Sequence, residues 1–392
     1  MDILISGGGI AGLSAAIFLS RLGMKVNVFE NTHTVEDLGT GVQISPNGYK
    51  ILESLNVTER INTNAFQPEN VHIRDGISGE IEISVPVKYL SEVFWGGKYL
   101  NIKRFDLVKA LSAELSNSKL VKIYYGKRVV KYEQSSTRVT VFLQDGSEFS
   151  GDFLIGADGV FSKISQQMFS SARFYYSGNV AWRALVKAPK IEDSITQENN
   201  CIWVGPKKHA VTTVLGDSNL INFVGVIEKQ LRGGNLYLDD PKKNALLDFH
   251  GWNRQLVSII ETAEIIHQWP IYKAKPFERW SDKNVVIIGD AAHPMVPSMA
   301  QGASQALEDA AVLASTLKQS SDIQKSFHNF YKSRINRTRK VQSASLRNLM
   351  TFHISNYYIR KIMYIGARQI TKVTSKFLMN RLNKIYSYTV DT

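Results

Sequence analysis

The sequence predicts an α/β protein in which strand–helix–strand segments, early and late in the chain, enclose a largely antiparallel sheet. Residues 3–30 contain an apolar run, a glycine-rich turn, an Ala- and Leu-rich segment with helical spacing, and a second apolar run. Residues 171–230 contain four short, aromatic-rich runs that are typical of antiparallel strands. The apolar run at 285–288 leads into a small-residue helix, so we expect it to return to the sheet that residues 3–30 begin.

The glycines of the first turn predict nucleotide binding. Gly7, Gly9 and Gly12 stand in G-x-G-x-x-G register between the first strand and the first helix. Gly7 permits the turn, Gly9 lets a pyrophosphate approach the backbone, and Gly12 allows close packing of helix and strand. The helix N-terminus would face the phosphates, and Glu30, at the end of the second strand, would accept hydrogen bonds from the adenosine ribose. A tight turn that binds nothing is the alternative, and the presence of every part of the motif disfavours it.

Composition and charge narrow the class of protein. The 392 residues suggest two or three domains, and 44% hydrophobic residues are enough for a sizeable core. The single cysteine, Cys201, excludes a disulfide framework and a zinc site built from cysteines, and it favours a cytoplasmic location. We expect no signal peptide, and no apolar run reaches the roughly 18 residues of a membrane span. The net charge of +12 favours anionic ligands or surfaces.

Local patterns predict several individual segments. The Gly-rich run at 39–47 contains a proline and is predicted to be a loop rather than a strand. Residues 100–116 and 240–266 each show a helical pattern. Residues 71–97 alternate apolar and polar positions between Asp-Gly and Ser-Gly turns, which predicts strands.

Two further motifs complete a set that is specific to one family. They are GDFLIGADGVFSKI at 151–164 and NVVIIGDAAHPMVPSMAQGASQALEDAAVLA at 284–314. Together with GGGIAG at 7–12, and in this order, they resemble the single-component FAD-dependent aromatic hydroxylases. These are flavoprotein monooxygenases, and the C-terminal residues 377–388 resemble the tail of their salicylate-hydroxylase-like subgroup. The resemblance covers nearly the whole chain.

The resemblance implies a Rossmann-like FAD-binding domain with a β-sheet substrate domain inserted and a C-terminal helical segment. Because the substrate sheet would interrupt the FAD-binding fold, both domains are expected to be discontinuous. The FAD-binding domain would comprise residues 1–70, 98–168 and 272–334, the substrate domain residues 71–97 and 169–271, and the C-terminal helices residues 335–392.

The resemblance also implies which residues would bind FAD. Arg104 would reach the phosphate and ribitol region with a bidentate fork, whereas the alternative is a solvated arginine at a helix start. Asp290 would bind the ribitol hydroxyls, although alone it would equally suit a helix N-cap. A helix beginning at Gly302 would direct N–H groups to the electron-rich edge of the flavin. The expected set is Gly7, Gly9, Ile10, Ala11, Gly12, Glu30, Val42, Gln43, Arg104, Asp158, Asp290, Gly302 and Ala303.

The implied reaction consumes NADPH or NADH and dioxygen. Asp158 belongs to an Asp-Gly motif that the family links to both FAD and NAD(P)H, but Ser165 stands where the family pattern has an arginine. The sequence shows no separate nicotinamide-binding domain, as expected for a transient co-substrate. In the family, dioxygen and reduced flavin form a flavin hydroperoxide, which transfers one oxygen atom to an aromatic or other electron-rich apolar molecule.

Three residues are candidates for a catalytic role. His209 follows the Trp-x-Gly-Pro pattern and could act as a general base, or it could be a satisfied strand-end histidine. A base histidine of some family members falls at Thr212 in this chain. Arg183 could bind a substrate carboxylate or phenolate, or it could be a surface arginine of an edge strand. Pro297 matches a loop proline near the flavin face, and His293 is interpreted as structural.

Other functions stay open at this point. Residues 343–390 contain eight Lys or Arg and no Asp or Glu, so this segment could contact an anionic membrane weakly or could be a helix packed on the body. We expect no metal site and no nucleic-acid partner, and either a monomer or a homodimer. The same scaffold could also carry out epoxidation or oxidative antibiotic inactivation, or it could be a flavin-binding protein with degraded catalysis.

Overall fold

The computed structural model describes residues 1–34, 40–169, 174–187, 199–216, 220–230, 240–274, 277–373 and 382–390. Its strands are β1 (Asp2–Ser6), β2 (Lys25–Phe29), β3 (Gly41–Ile44), β4 (Asn70–Asp75), β5 (Ile81–Val85), β6 (Leu100–Lys103), β7 (Val121–Tyr124), β8 (Val129–Gln134), β9 (Val139–Leu143), β10 (Glu148–Gly151), β11 (Phe153–Gly156), β12 (Phe174–Lys187), β13 (Asn199–Gly205), β14 (Lys208–Leu215), β15 (Leu220–Glu228), β16 (His267–Ala274), β17 (Ser281–Asp282) and β18 (Val285–Ile287).

The α-helices alternate with these strands in the first part of the chain and follow them at its end. They are α1 (Ile10–Arg21), α2 (Pro46–Ser54), α3 (Thr58–Asn62), α4 (Val87–Leu90), α5 (Arg104–Leu115), α6 (Lys163–Phe169), α7 (Pro241–Asp248), α8 (Arg254–Thr262), α9 (Gly302–Gln319), α10 (Ile323–Phe352) and α11 (Tyr357–Val373).

A six-stranded sheet carries the predicted strand–helix–strand unit. Its order is β17-β18-β11-β1-β2-β7, and all neighbouring pairs except β17–β18 are parallel. The residues of β1 from Ile3 to Ile5 are fully buried, as expected for a central parallel strand covered on both faces. Helix α1 contacts both α5 and α9. The strand at 285–287 therefore returns to this sheet, and the predicted fold class is confirmed.

A seven-stranded sheet forms the second layer. Its order is β16-β12-β15-β14-β13-β4-β5, and only the β13–β4 pair is parallel. Strands β4 and β5 come from residues 70–85, so two separate parts of the chain build this sheet. One face of the sheet packs Trp182, Trp203 and Phe223 into a core with residues of α7 and α8. Period-two alternation turns the residues between these aromatic side chains towards the opposite face.

Four local predictions are wrong. In the stretch predicted as strands over 71–97, residues 87–90 form α4 and residues 91–95 a π-helical turn, because Pro86 has no backbone N–H for a ladder and ends β5. Within the predicted loop at 39–47, residues 41–44 form β3, which pairs antiparallel with β6 and thereby satisfies its backbone groups. Because β6 occupies residues 100–103, the helix predicted over 100–116 begins only at Arg104.

The helix predicted over 240–266 is divided into α7 and α8. Gly251 adopts a φ of 77° between them, a conformation that interrupts a right-handed helix. The Asn253 side chain then caps α8 by accepting a hydrogen bond from the Gln255 backbone N–H at 3.0 Å. A short-range helical pattern did not reveal this turn, because both flanking segments carry helix-forming residues.

The described part of the C-terminal region contains the helices α10 and α11, as predicted. Helix α10 contacts α9, and α11 contacts β5. The tail motif at 377–381 lies outside the described residues. In the part of the chain that the structure describes, no helix combines the length and apolar character needed to cross a membrane.

Candidate active site

A cavity of about 300 Å³ lies where the carboxyl ends of β1, β11 and β18 face the seven-stranded sheet. This is the edge at which open α/β sheets bind ligands. Nine of the predicted FAD-binding residues and all three catalytic candidates line it. They are Gly9, Ile10, Ala11, Val42, Gln43, Arg104, Asp290, Gly302, Ala303, Arg183, His209 and Pro297. The remaining four, Gly7, Gly12, Glu30 and Asp158, lie outside the lining.

The glycine turn separates structural from ligand-facing positions. Gly7 has a φ of 106°, and an added Cβ would lie 2.4 Å from the Ala157 carbonyl oxygen. An added Cβ at Gly12 would lie 1.9 Å from the carbonyl oxygen of Gly7, so the turn itself excludes a side chain there. At Gly9 the nearest atom to an added Cβ is a guanidinium nitrogen of Arg104, at 3.8 Å. Protein packing therefore does not require glycine at position 9, and the free space faces the cavity.

Glu30 holds the glycine turn in place. Its Oε2 accepts a hydrogen bond from the Gly8 N–H at 2.7 Å. Its Oε1 accepts bonds from the Thr32 N–H at 2.8 Å and the Thr32 hydroxyl at 3.0 Å. An ionised carboxylate has about four acceptor positions, so capacity for one ribose hydroxyl is left.

Two arginines give the cavity a positive charge. Arg104 is the first residue of α5 and Arg183 lies on β12, an interior strand of the sheet, rather than on an edge strand. Burial lowers the pKa of Arg183, and the Arg104 charge lowers it further. The Arg183 Nε is buried and has no hydrogen-bond partner among the described residues. Two neighbouring guanidinium groups with an unsatisfied donor favour an anionic ligand.

Asp290 provides the acidic group of the cavity. It lies inside a short 3-10 turn, Gly289–Ala291, whose N-cap residue is Ile288, so the N-cap alternative does not apply. Desolvation by the surrounding protein raises the pKa of Asp290, whereas the charges of His293 and Arg104 oppose that rise. Its carboxylate is nevertheless exposed towards the open cavity, where it can accept hydrogen bonds from hydroxyl groups.

Asp158 lies between Ala157 and Gly159, which line the cavity, but is not itself a lining residue. Its Oδ2 accepts hydrogen bonds from the backbone N–H groups of Lys163 at 2.8 Å and Ile164 at 3.4 Å, at the start of α6. Burial raises the pKa of this carboxyl group. Its Oδ1 is buried without a partner among the residues described. Asp158 therefore stabilises the helix start directly, and its contact with a cofactor stays a prediction.

The first turn of α9 points at the cavity and rests on a buried polar network. Gly302 opens this 18-residue helix. The Ser45 and Ser304 hydroxyls are 2.8 Å apart, and Asn47 donates from Nδ2 to Gln301 Oε1 at 3.2 Å and to Glu308 Oε1 at 2.7 Å. These bonds fix the position of the helix N-terminus, where free N–H groups favour an electron-rich ligand.

A buried ionic cluster continues this network, and most of it was not predicted from the sequence. Arg334, fully buried on α10, donates to Glu308 and, through Nε at 2.7 Å, to Asp309. Asp309 Oδ2 accepts from the Gly289 N–H at 2.8 Å and lies 2.5 Å from His293 Nε2. Burial would raise the pKa of both carboxyl groups, but the Arg334 charge contributes to holding both below their usual values. Two adjacent acids in a small-residue helix were the available signal, because buried charges need partners.

The opposite wall is one face of the seven-stranded sheet. Register places Arg183 opposite Val224 and Val224 opposite Val211, and it places His209 opposite Val226. Directly opposed residues share a face, so these side chains form a continuous wall. The sheet residues that line the cavity are Arg183, His209, Val211, Thr213, Asn222, Val224 and Val226.

Thr212 lies on the other face of β14. Its hydroxyl accepts a hydrogen bond from Trp203 Nε1 at 3.1 Å within the aromatic core. A side chain at this position therefore points away from the cavity. Thr213, its neighbour, is the residue that reaches the wall.

His209 is buried in this wall and contacts a residue far away in the sequence. Its Nδ1 lies 2.7 Å from Nε2 of His353, the C-cap residue directly after α10. Nδ1 of His353 lies 3.1 Å from Glu228 Oε1. Burial lowers the pKa of both histidines; the neighbouring His353 lowers that of His209 further, and Glu228 opposes the shift at His353.

Comparison with known proteins identifies the family. A family model described as an FAD binding domain matches residues 1–336. The chain belongs to this FAD-binding domain family.

The names of similar proteins indicate the kind of reaction that members of this family catalyse. 3-Hydroxybenzoate 6-hydroxylase 1 of Aquipseudomonas alcaligenes is 30% identical over 344 residues, which are 88% of this chain and 87% of that protein. 6-Hydroxynicotinate 3-monooxygenase of Bordetella bronchiseptica is 29% identical over 350 residues, 88% of this chain and 91% of that protein. These relatives confirm the prediction that the chain is an FAD-dependent monooxygenase.

A solved structure agrees with the fold. The crystal structure of Klebsiella pneumoniae HpxO complexed with FAD and uric acid superposes with a TM-score of 0.85 at 24% identity. The match covers 98% of this chain and 97% of that one. The residues that line the cavity fit FAD, because space at Gly9, two guanidinium groups and the α9 N-terminus are complementary to a phosphate-bearing, electron-rich cofactor.

Proposed function

We propose that this monooxygenase inserts one oxygen atom into a small aromatic ring that carries a hydroxyl and an acidic group. The observation that carries the proposal is the cavity itself. One wall consists of the FAD motif residues, and the facing wall combines Arg183 and His209 with the aliphatic side chains of Val211, Val224 and Val226. The named relatives act on 3-hydroxybenzoate and 6-hydroxynicotinate, which are rings of this kind.

FAD would extend along the first wall. Its pyrophosphate would meet the turn from Gly7 to Gly12, and Glu30 would take the adenosine ribose. Arg104 would bind the phosphate and ribitol region together with Asp290. Val42, Gln43, Gly302 and Ala303 would surround the flavin ring, with Pro297 near its face. Asp158 would support this region from behind through its contact with α6.

The substrate would lie between the flavin ring and the sheet. Arg183 would bind its carboxylate or phenolate, since its Nε lacks a described partner and charge-assisted bonds to a carboxylate are strong. The three valines would contact the ring faces and exclude water. His209 would hold the proton of the ring hydroxyl, which increases the electron density of the carbon that is attacked.

Bound FAD, once reduced by NADPH or NADH, supplies the activation of dioxygen. The residues of the chain orient the ring, keep water out of the cavity and exchange a proton at the substrate hydroxyl. We also propose the domain division predicted from the sequence, with residues 1–70, 98–168 and 272–334 binding FAD and residues 71–97 and 169–271 binding substrate. Pairing of β4 and β5 with the β12–β16 segment supports it.

The test is NAD(P)H consumption by the FAD-loaded protein with a panel of hydroxylated aromatic acids, while hydrogen peroxide is measured in parallel. We expect acids with a ring hydroxyl to stimulate consumption with little peroxide. Matched phenols without the acidic group should stimulate it less, because they leave Arg183 unpaired. Failure of every aromatic acid to stimulate consumption would contradict the proposal, and product mass would distinguish hydroxylation from epoxidation.

As a second proposal, we infer that the protein is cytoplasmic and that α11 contacts an anionic membrane surface weakly. Arg360 and Lys361 of α11 face the body, where they bind Asp75 and Glu82. The other side of the helix is apolar and exposed, and the surrounding segment 343–390 is basic. The exposed residues are Tyr358, Ile359, Ile362 and Ile365.

The membrane contact can be tested with the variant Ile362→Glu. This variant should sediment less with phosphatidylserine vesicles than the native protein does, while its NAD(P)H consumption should be unchanged. If the native protein does not sediment with the vesicles, the membrane proposal is contradicted.

A further inference from the structure

The sheet wall contains a chain of three ionisable side chains that leads out of the cavity. His209 lines the cavity and is 1% exposed, and His353 is 5% exposed. Glu228, the last residue of β15, has 47% of its side chain exposed. The two links between them measure 2.7 Å and 3.1 Å. Three elements, β14, β15 and the end of α10, thus place a continuous hydrogen-bonded path between the cavity and solvent.

We propose that Glu228, His353 and His209 form a proton relay between the substrate cavity and the surface. This inference rests on the proposed function, because it assigns the route by which the proton of the substrate hydroxyl leaves and returns. His209 would be the catalytic residue, and His353 and Glu228 would be positioning residues that act through it.

The direction of the hydrogen bonds follows from the donors and acceptors that each group offers. An ionised Glu228 only accepts, so Nδ1 of a neutral His353 must carry the proton that they share. Nε2 of His353 is then an acceptor, and Nδ1 of His209 must donate to it. Nε2 of His209 is left as an acceptor, since the hydrogen bond of this ring among the residues described is made through Nδ1. The carboxylate therefore sets both tautomers and leaves the ring nitrogen of the cavity wall ready to accept a proton.

The proton transfer balances without any co-reactant. The O–H bond of the substrate breaks and an N–H bond forms at Nε2 of His209. The Nδ1 proton of His209 passes to Nε2 of His353, and the Nδ1 proton of His353 passes to Glu228. Solvent accepts the proton from the exposed carboxyl group. Return of a proton to the product oxygen reverses the same steps and restores both tautomers.

Burial supports this use of two neutral imidazoles. The two histidines lie 5.0 Å apart between ring centroids, and the Phe352 ring packs 5.3 Å from His209. A buried imidazolium in this environment would cost free energy unless its proton were transferred to the next group of the relay. A purely structural pair that anchors the end of α10 to the sheet is the competing explanation. It requires packing and one hydrogen bond, but not a particular tautomer set by Glu228.

The first test uses the full chain without FAD or substrate, so its outcome does not depend on the proposed reaction. Nitrogen-15 NMR of histidine-labelled protein reports the tautomer of each ring. We expect both His209 and His353 to carry the proton on Nδ1, and Glu228→Gln to remove this preference because an amide can donate as well as accept. A proton on Nε2 of His209 in the native protein, or unchanged tautomers in Glu228→Gln, would overturn the relay.

The second test uses the FAD-loaded enzyme. His353→Gln should lower kcat with a hydroxylated substrate on the order of tenfold, below the roughly 10²–10⁴-fold typical of removing a general base itself. The decrease should be larger at low pH and should shrink as pH approaches the pKa of the free substrate hydroxyl. His328→Gln, at an exposed position of the same helix, is the matched control. A decrease that does not change with pH would indicate a structural role, whereas absence of turnover in the native enzyme would refute the proposed function instead.

Discussion

The two walls of the cavity are built in different ways. The cofactor wall uses backbone: a left-handed Gly7, the close approach of Gly12 to the Gly7 carbonyl, and the N-terminus of α9. The substrate wall uses side chains, which alternate along three antiparallel strands. A backbone wall tolerates few residue types and therefore has a recognisable sequence. A side-chain wall can change its specificity without changing the fold.

The largest expected effect concerns the ionic cluster that supports the cofactor wall. Arg334→Leu should lower the free energy of unfolding by about 3–5 kcal/mol, because it removes the buried guanidinium that Glu308 and Asp309 share, although Arg337 and His293 still contact these acids. Urea denaturation of the purified variant measures this. Arg339→Leu, an exposed position on the same helix, should change stability little. Equal stability of the two variants would show that the cluster contributes nothing.

Two glycines of the cofactor wall should separate folding from binding. Gly12→Ala should destabilise the protein, since its Cβ would overlap the Gly7 carbonyl. Gly9→Ala should leave the melting temperature of the FAD-free protein unchanged but weaken FAD binding by roughly 1–3 kcal/mol, the usual cost of overpacking. Thermal scans and FAD titrations distinguish the two. Full FAD affinity in Gly9→Ala would remove this residue from the binding site.

The Arg183 charge on the substrate wall should contribute to substrate binding but not to FAD binding. Arg183→Met should raise KM for an aromatic acid by about 10–100-fold, equivalent to a charged hydrogen bond of about 1.5–3 kcal/mol. The FAD content should stay at the native level. Lys187→Met, at an exposed position of the same strand, is the control and should behave like the native enzyme. A loss of FAD in Arg183→Met would assign the residue to the cofactor wall instead.

The smallest expected effect is a pH dependence of stability. Burial holds the folded-state pKa values of His209 and His353 below the ordinary histidine value of about 6.5, so the unfolded chain binds their protons first as pH falls below that value. Each pKa unit corresponds to about 1.4 kcal/mol, and stability is lost as pH falls from about 6.5 through the folded-state pKa values. Urea denaturation at pH 7.5 and 5.5 should show this decrease. His353→Gln should show a smaller one, and an identical decrease would contradict the assignment.

The same difference between the walls explains what the sequence could predict. The glycine register could be predicted because local backbone geometry restricts the residues that fit, whereas Asp290 and the helix that begins at Gly302 were expected from the family resemblance. Asp290 and Gly302 line the cavity, and their contact with FAD stays a prediction. The sequence did not predict which faces of β14 and β15 line the cavity. Alternation divides the residues of a strand between two faces, but it does not show which face points into the cavity. His353 was missed because a contact between residues 209 and 353 has no local signal. The strand at 41–44 was missed because its partner, β6, lies some 60 residues away.

The proposed reaction inserts an oxygen atom of dioxygen into an aromatic acid held between the two walls. The most direct measurement is mass spectrometry of the product formed under oxygen-18 gas, with FAD-loaded protein, NAD(P)H and the most stimulating acid of the panel. We expect one heavy oxygen atom per product molecule and an equal molar consumption of NAD(P)H. Unlabelled substrate recovered intact, with all of the NAD(P)H accounted for as hydrogen peroxide across the whole panel, would contradict it.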